Sequence, residues 1–186
     1  MRHPRVIEEI QREIKNVNPP NSNEKLDIDP ALFRPASLPY VTAVFYETLR
    51  FYPPVPFELK QCEQATTLPD GTYLPKAAVL LWCTWAMNRS KLIWGQDAEE
   101  FKPERWLENG TFVSKSASEY PVFNGGPRTC LGKKMAELVA IQAIAILISK
   151  FDFKAVDEKE RISKNSLTLP MEGGLPCYVK LRNSST

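Results

Sequence analysis

Cys130 lies in the stretch FNGGPRTCLG, residues 123–132, with Gly125 and Gly126 before it, Gly132 after it and Arg128 two residues upstream. A long apolar run that reads as helix follows at once. Free backbone N–H groups and the positive end of a helix dipole favour an anionic thiolate at such a place. Glycines carry no Cβ, so they permit positive φ and let a flat, bulky ligand approach the backbone. Arg128 adds a planar cation suited to a carboxylate on that ligand. A buried cysteine in a Gly-rich turn would account for the same composition with no chemistry at all. A phosphate loop does not fit, because five residues rather than four separate Gly126 from Gly132, and Lys134 stands where Ser or Thr is required.

A second candidate group is charged. Glu47 and Arg50, in ETLR, are three apart and share a helix face, which for an exposed pair stabilises by only about 0.2–0.5 kcal/mol. Arg105, in PERW, reads alone as a surface arginine. The other cysteines, Cys62, Cys83 and Cys177, are far apart in sequence, no CxxC pair occurs, and the sole histidine is His3, so a structural zinc site has no support. All four cysteines read as reduced thiols.

The elements that must position these residues follow from periodicity and punctuation. The chain has 186 residues, 43% hydrophobic and 10% aromatic, enough for one core, and its net charge of +2 is spread among both signs. Neither a nucleic-acid stripe nor a polybasic membrane segment is present, so nucleic acid is not an expected partner. HPRVIEEIQREI places Val6, Ile7, Ile10 and Ile14 at helical spacing with Pro4 in the first turn, while residues 16–36 are rich in proline and read as a connector. Ser37 is the expected cap of a helix over 37–50, halted by FYPPVP. Short strands follow, with Asp70-Gly71 as a hairpin signal. Residues 88–122 read as a packed irregular segment, 131–149 as a helix, and about 165–182 as a terminal hairpin turning at MEGGLP. The apolar stretch LVAIQAIAILI, 138–148, falls well short of the ~20 residues that cross a bilayer and reads as a buried helix.

Taken in order, these phrases resemble the cytochrome P-450 superfamily. FNGGPRTCLG matches its haem-binding signature FxxGxRxCxG, ETLR its ExxR helix, and FKPERW the segment whose arginine completes a Glu-Arg-Arg triad. LPDGTYLPK, IWGQDAEEFKPERWLENGTF and LPMEGGLP look most like the microsomal fatty-acid ω-hydroxylase clan of plants and fungi. The resemblance runs nearly end to end and implies the C-terminal part of that fold, mainly α with small β-sheets.

It also implies roles. Cys130 would be the axial thiolate of haem b iron, and Phe123, Gly126, Arg128 and Gly132 would shape its cradle, with Arg128 pairing a propionate. Glu47, Arg50 and Arg105 would lock the meander to the core. Val55, Pro56, Phe57, Met171, Gly173, Gly174 and Leu175 would line part of the substrate pocket. Lys60 stands where many relatives place a propionate-binding arginine, keeping the charge without the bidentate fork, and Asn88 stands where relatives often carry histidine. Electrons would come from NADPH through NADPH-cytochrome P-450 reductase, the substrate would be a lipophilic small molecule, and the parent would sit on the cytosolic face of the endoplasmic reticulum. The family's membrane anchor and its AGx[DE]T helix have no counterpart in these residues, so the chain is expected to be a fragment without activity or anchor of its own.

Overall fold

The protein, described by a computed structural model over residues 3–19, 30–159, 161–164 and 166–182, is mainly helical with small sheets. Its helices are α1 (Pro4–Val17), α2 (Pro39–Phe51), α3 (Thr84–Met87), α4 (Lys91–Trp94) and α5 (Lys133–Lys150). Among the described residues the strands form four antiparallel pairs: β1 (Glu58–Gln61) with β4 (Val79–Trp82), β2 (Thr66–Thr67) with β3 (Tyr73–Leu74), β5 (Leu107–Glu108) with β6 (Thr111–Phe112), and β7 (Phe151–Ala155) with β8 (Cys177–Leu181). Part of the expected 16–36 connector, residues 20–29, lies outside the described residues.

Helix α2 is the axis of the molecule. One side packs Leu38, Val41 and Val44 against Ile10 and Ile14 of α1 and Ile141 and Ala145 of α5. The other packs Ala43, Phe45 and Tyr46 against Trp94, Trp106 and Tyr120. Thr42, buried between the two sides, donates to the Leu38 carbonyl (2.8 Å), and the exposed Thr48 makes the same back-bond to that of Val44 (2.7 Å). The same enclosure decides the fate of Glu47 and Arg50 one turn later.

The cap of α2 is not Ser37. The helix starts at Pro39 after Leu38, and no side chain of the preceding segment caps it. Glu13 of α1 does so instead, accepting from the N–H groups of Tyr40 (2.7 Å) and Val41 (2.9 Å). A carboxylate at a helix N-terminus satisfies orphan donors and meets the dipole with the right sign. Burial raises the Glu13 pKa above its usual range, and the two amide bonds oppose that shift. Glu13→Ala is expected to destabilise the fold by about 1 kcal/mol. Ser37→Ala should leave stability unchanged, and thermal melts of the two variants separate the alternatives.

Asp70-Gly71 does turn a hairpin. Gly71 has φ +89°, Asp70 Oδ1 accepts from the Thr72 N–H (2.9 Å), and β2 and β3 pair around it. The terminal hairpin differs from expectation. Cys177–Leu181 pairs with Phe151–Ala155, whereas Met171, where MEGGLP begins, makes only a single bridge, to Ser163. Strand β7 begins as α5 ends, and its alternation Phe151, Phe153, Ala155 gives β8 a half-buried partner that the turn residues do not offer.

Candidate functional site: the cysteine loop and its ionic brace

Glu47 and Arg50 are 0% exposed and Arg105 9%, so none of the three is a surface charge. Arg50 grips Glu47 through both ends of its fork, Nε to Oε2 and Nη2 to Oε1, each at 2.9 Å. Arg105 Nε reaches Oε1 at 3.0 Å, the Lys102 N–H donates to the same oxygen at 2.8 Å, and Trp106 Nε1 donates to Oε2 at 2.9 Å. Glu47 thus accepts from three side chains and one amide. Arg50 spends its remaining donors on the carbonyls of Asn88 (2.6 Å), Ala98 (2.7 Å) and Glu100 (3.0 Å), between the rings of Phe51 and Trp94. A buried charge is tolerated when it is paired and its remaining sites are bonded, as here.

Asp97 extends the brace to its exposed rim. Lys102 Nζ (2.8 Å) and Arg105 Nη1 (3.2 Å) donate to it, and these bonds lower its pKa to about 2. A carboxyl lowered in the folded state stabilises the fold above its unfolded pKa, about 3.9, and loses that contribution as pH falls through the folded value. Asp97→Asn is therefore expected to be less stable than the parent protein at pH 5, with the difference vanishing near pH 2. Urea unfolding midpoints at the two pH values measure this.

The bonds of the brace end at Trp106, and the cysteine loop is tied to α2 by a contact of its own. Tyr120 Oη donates to the Tyr46 carbonyl at 3.2 Å, fixing the loop's entry to α2. Residues Pro121–Phe123 and Gly126–Arg128 form two short 3-10 turns, and the Cys130 N–H donates to the Phe123 carbonyl at 2.7 Å. Asn124 turns the chain at φ +58° and donates through Nδ2 to Glu58 Oε1 of β1 (3.1 Å), an anchor that only the tertiary structure reveals.

The expected glycines divide by function. Gly126 has φ +62° and open space where a Cβ would stand. Gly125 and Gly132 do not use positive φ: they sit at −139° and −82°. At Gly125 the constraint is contact, since a Cβ would lie 2.8 Å from the Ala117 Cβ, closer than carbon atoms approach.

Cys130 is exposed, with α5 starting three residues later. It is not the buried turn cysteine that composition alone allows. Arg128 is exposed on the same loop and makes no side-chain bond among the described residues. Lys60, exposed on β1, lines an open groove of about 380 Å³ together with Trp82, Asn124 and Gly125, so the structure brings it to the loop. Beyond the cysteine, Leu131 is fully exposed and Met135 and Val139 of α5 are 72% and 54% exposed.

The expected substrate-contact segments are joined by one bond, Leu169 N–H to the Pro54 carbonyl (2.9 Å). Pro56 is buried and Val55 half-buried, while Phe57, Met171, Gly173, Gly174 and Leu175 are exposed. The positive φ of Gly173 (+71°) and Gly174 (+64°) makes the turn that returns the chain after Met171.

Comparison with known proteins agrees with this geometry. The family model described as cytochrome P-450 matches residues 1–177. A sunflower (Helianthus annuus) cytochrome P-450 is 40% identical over 149 residues, covering 80% of this chain and 96% of that protein. Cytochrome P-450 86B1 of Arabidopsis thaliana is 39% identical over 165 residues, 87% of this chain and 29% of that protein. Noroxomaritidine synthase 2 of Narcissus pseudonarcissus is 36% identical over 185 residues, 97% of this chain and 36% of the synthase. The chain thus spans about a third of the length of the last two. With a matching family model over nearly its whole length, an exposed cysteine just before α5 and a buried Glu-Arg-Arg cluster, the chain belongs to the cytochrome P-450 family.

Proposed function

We propose that Cys130 would hold the iron of haem b through its thiolate, and that the polypeptide containing this segment is a monooxygenase hydroxylating a lipophilic substrate, a long-chain fatty acid first among them. The observation that carries this reading is the exposed thiol at the entry to α5, on a loop whose backbone is pinned at Phe123, Asn124 and Gly125. The donor set suits the group: a thiolate is a soft ligand for iron, and the open space at Gly126 admits a flat macrocycle close to the backbone. Arg128 and Lys60 are exposed cations beside that loop, suited to propionates.

Haem held there would supply oxygen activation in the family's overall reaction, RH + O2 + 2e⁻ + 2H⁺ → ROH + H2O, with electrons from NADPH through NADPH-cytochrome P-450 reductase. The chain's own contribution is mechanical and electrostatic. Phe123 packs its ring near the loop's root, the Glu47–Arg50–Arg105 brace keeps the meander from shifting, and Cys130 is presented in one fixed place. Preorganisation of this sort matters because a ligand-bearing loop that wanders loses affinity and defined ligand geometry together.

The fatty-acid assignment is supported by the phrases LPDGTYLPK and LPMEGGLP and by likeness to the 86B1 relative. A relative named as a noroxomaritidine synthase matches more of the chain, 97% against 87%, in keeping with a segment that fixes the cofactor more than it selects the substrate. The longer polypeptide is assigned to the cytosolic face of the endoplasmic reticulum membrane. Among the described residues no helix is long and apolar enough to cross a membrane.

A second reading is that the 186-residue chain alone is non-catalytic. It is favoured by the exposure of residues 125–132 and of Met135 and Val139, which leaves the thiol open to water. Expression with haem followed by a reduced carbon-monoxide difference spectrum tests the ligation. Mass spectrometry of a long-chain fatty acid incubated with reductase and NADPH tests turnover. A thiolate-type band without product supports ligation and the second reading together, regioselective product overturns the second reading, and no thiolate band overturns the haem assignment.

A further inference from the structure

The first turn of α5 holds a side-chain cluster outside all the motifs described above. Lys133 opens the helix, and its backbone N–H donates to the Cys130 carbonyl at 3.3 Å. Its ammonium lies 5.5 Å from the centre of the Phe123 ring and 5.9 Å from that of Tyr46. One turn on, Glu137 Oε1 is 3.9 Å from Lys133 Nζ and accepts the phenolic hydrogen of Tyr46, the α2 residue directly before Glu47. Tyr46 is 3% exposed. Burial first, and the neighbouring carboxylate second, raise its pKa, so its hydroxyl is a permanent donor.

Lys133 violates a local rule. A cation in the first turn of a helix meets the positive end of the dipole, and α5 has lysines there and no acid. A helical Lys–Glu pair at this spacing stabilises only weakly, too little by itself to explain why the cation sits at that end. Departures from local preference concentrate where function imposes them. Here two aromatic faces and a carboxylate hold the misplaced charge against the residues that root the cysteine loop.

We propose that Lys133, Glu137 and Tyr46 are positioning residues for the Cys130 loop. Tyr46 fixes Glu137, Glu137 fixes the Lys133 ammonium, and that ammonium clamps Phe123 while placing a positive charge beside the ligand loop. The role rests on Cys130 holding haem iron as proposed above. It predicts two effects of losing the cation: the loop holds haem less tightly, and the bound haem becomes harder to reduce, because a nearby positive charge favours the form with the extra electron.

The test reconstitutes the 186-residue chain with haem and measures haem affinity, the midpoint potential and the melting temperature of the haem-free protein. Lys133→Met keeps the apolar stem and removes the charge. It is expected to weaken haem binding roughly tenfold, the lower end of the effect of losing an outer-shell partner, and to lower the potential. Lys133→Arg is expected to restore both. Glu137→Gln and Tyr46→Phe, nearly isosteric, should weaken haem binding with little change in melting temperature, and they carry the test if Lys133→Met does not fold. Variants that match the parent in affinity and potential would overturn the positioning role alone. A parent chain that gives no Cys130-dependent thiolate spectrum would overturn the haem assignment and this role with it.

Discussion

Cys130→Ser is expected to abolish the thiolate-type band of the haem-loaded protein completely, while the same change at Cys62, Cys83 or Cys177 leaves it in place. The structure gives each of the other three a different setting. Cys62 closes the end of the β1–β4 pair through backbone bonds with Ala77 and Ala78. Cys83 caps α3, its Sγ accepting from the Ala86 N–H at 3.4 Å, a bond that a serine oxygen would also accept. Cys177 stands opposite Ala155 in β8. Cys130 alone among the four is exposed. Serine is a poor substitute because its hydroxyl does not ionise near neutral pH, whereas a thiol can supply the anionic soft ligand that the proposed iron site would need. The reduced carbon-monoxide difference spectrum reads the outcome directly. A thiolate band that survives in Cys130→Ser, or disappears in Cys83→Ser alone, would move the ligand elsewhere.

Glu47→Ala is expected to remove about 3–5 kcal/mol of stability, the cost of stranding a buried charge. That is comparable with the whole ~5–15 kcal/mol that holds a domain folded, so the variant should be largely unfolded and unable to retain haem. The magnitude follows from what is left behind. Arg50, fully buried, would lose its counter-ion, Arg105 would keep only Asp97, and the Lys102 amide and the Trp106 indole N–H would lose their acceptor. Glu47→Gln is expected to lie between the two, keeping one acceptor oxygen while giving up the charge. Urea unfolding of the haem-free chain distinguishes this from an ordinary helical surface pair, for which alanine would cost only about 0.2–0.5 kcal/mol.

The candidate site was legible to different depths in the sequence. Cys130, Arg128 and the run of glycines are contiguous, so spacing alone exposes them, and three ordered phrases name the family that the comparisons show. Helices α1, α2 and α5 and the Asp70-Gly71 turn were equally readable, because periodicity and punctuation are local properties of the chain. Where local signals compete with long-range partners, the reading failed. Ser37 is well placed as a cap, but Glu13 lies twenty-seven and twenty-eight positions from the amides it accepts from. MEGGLP reads as a hairpin turn, yet β8 pairs with Phe151–Ala155 rather than with the residues just before the turn.

Sequence by itself determined which residues carry the chemistry proposed for haem and in what order they occur. Tertiary structure decided their environment. Glu47 and Arg50 are three apart whether exposed or buried, and only the closure of Trp94, Trp106 and the Asn88–Glu100 backbone around them turns a weak surface pair into a brace. In the same way Gly125 is required by the Cβ of Ala117, and Lys133 is held by Tyr46 from another helix. The physical reason is common to all of these: desolvation and close contact depend on the atoms that surround a group, and those atoms come from distant parts of the chain.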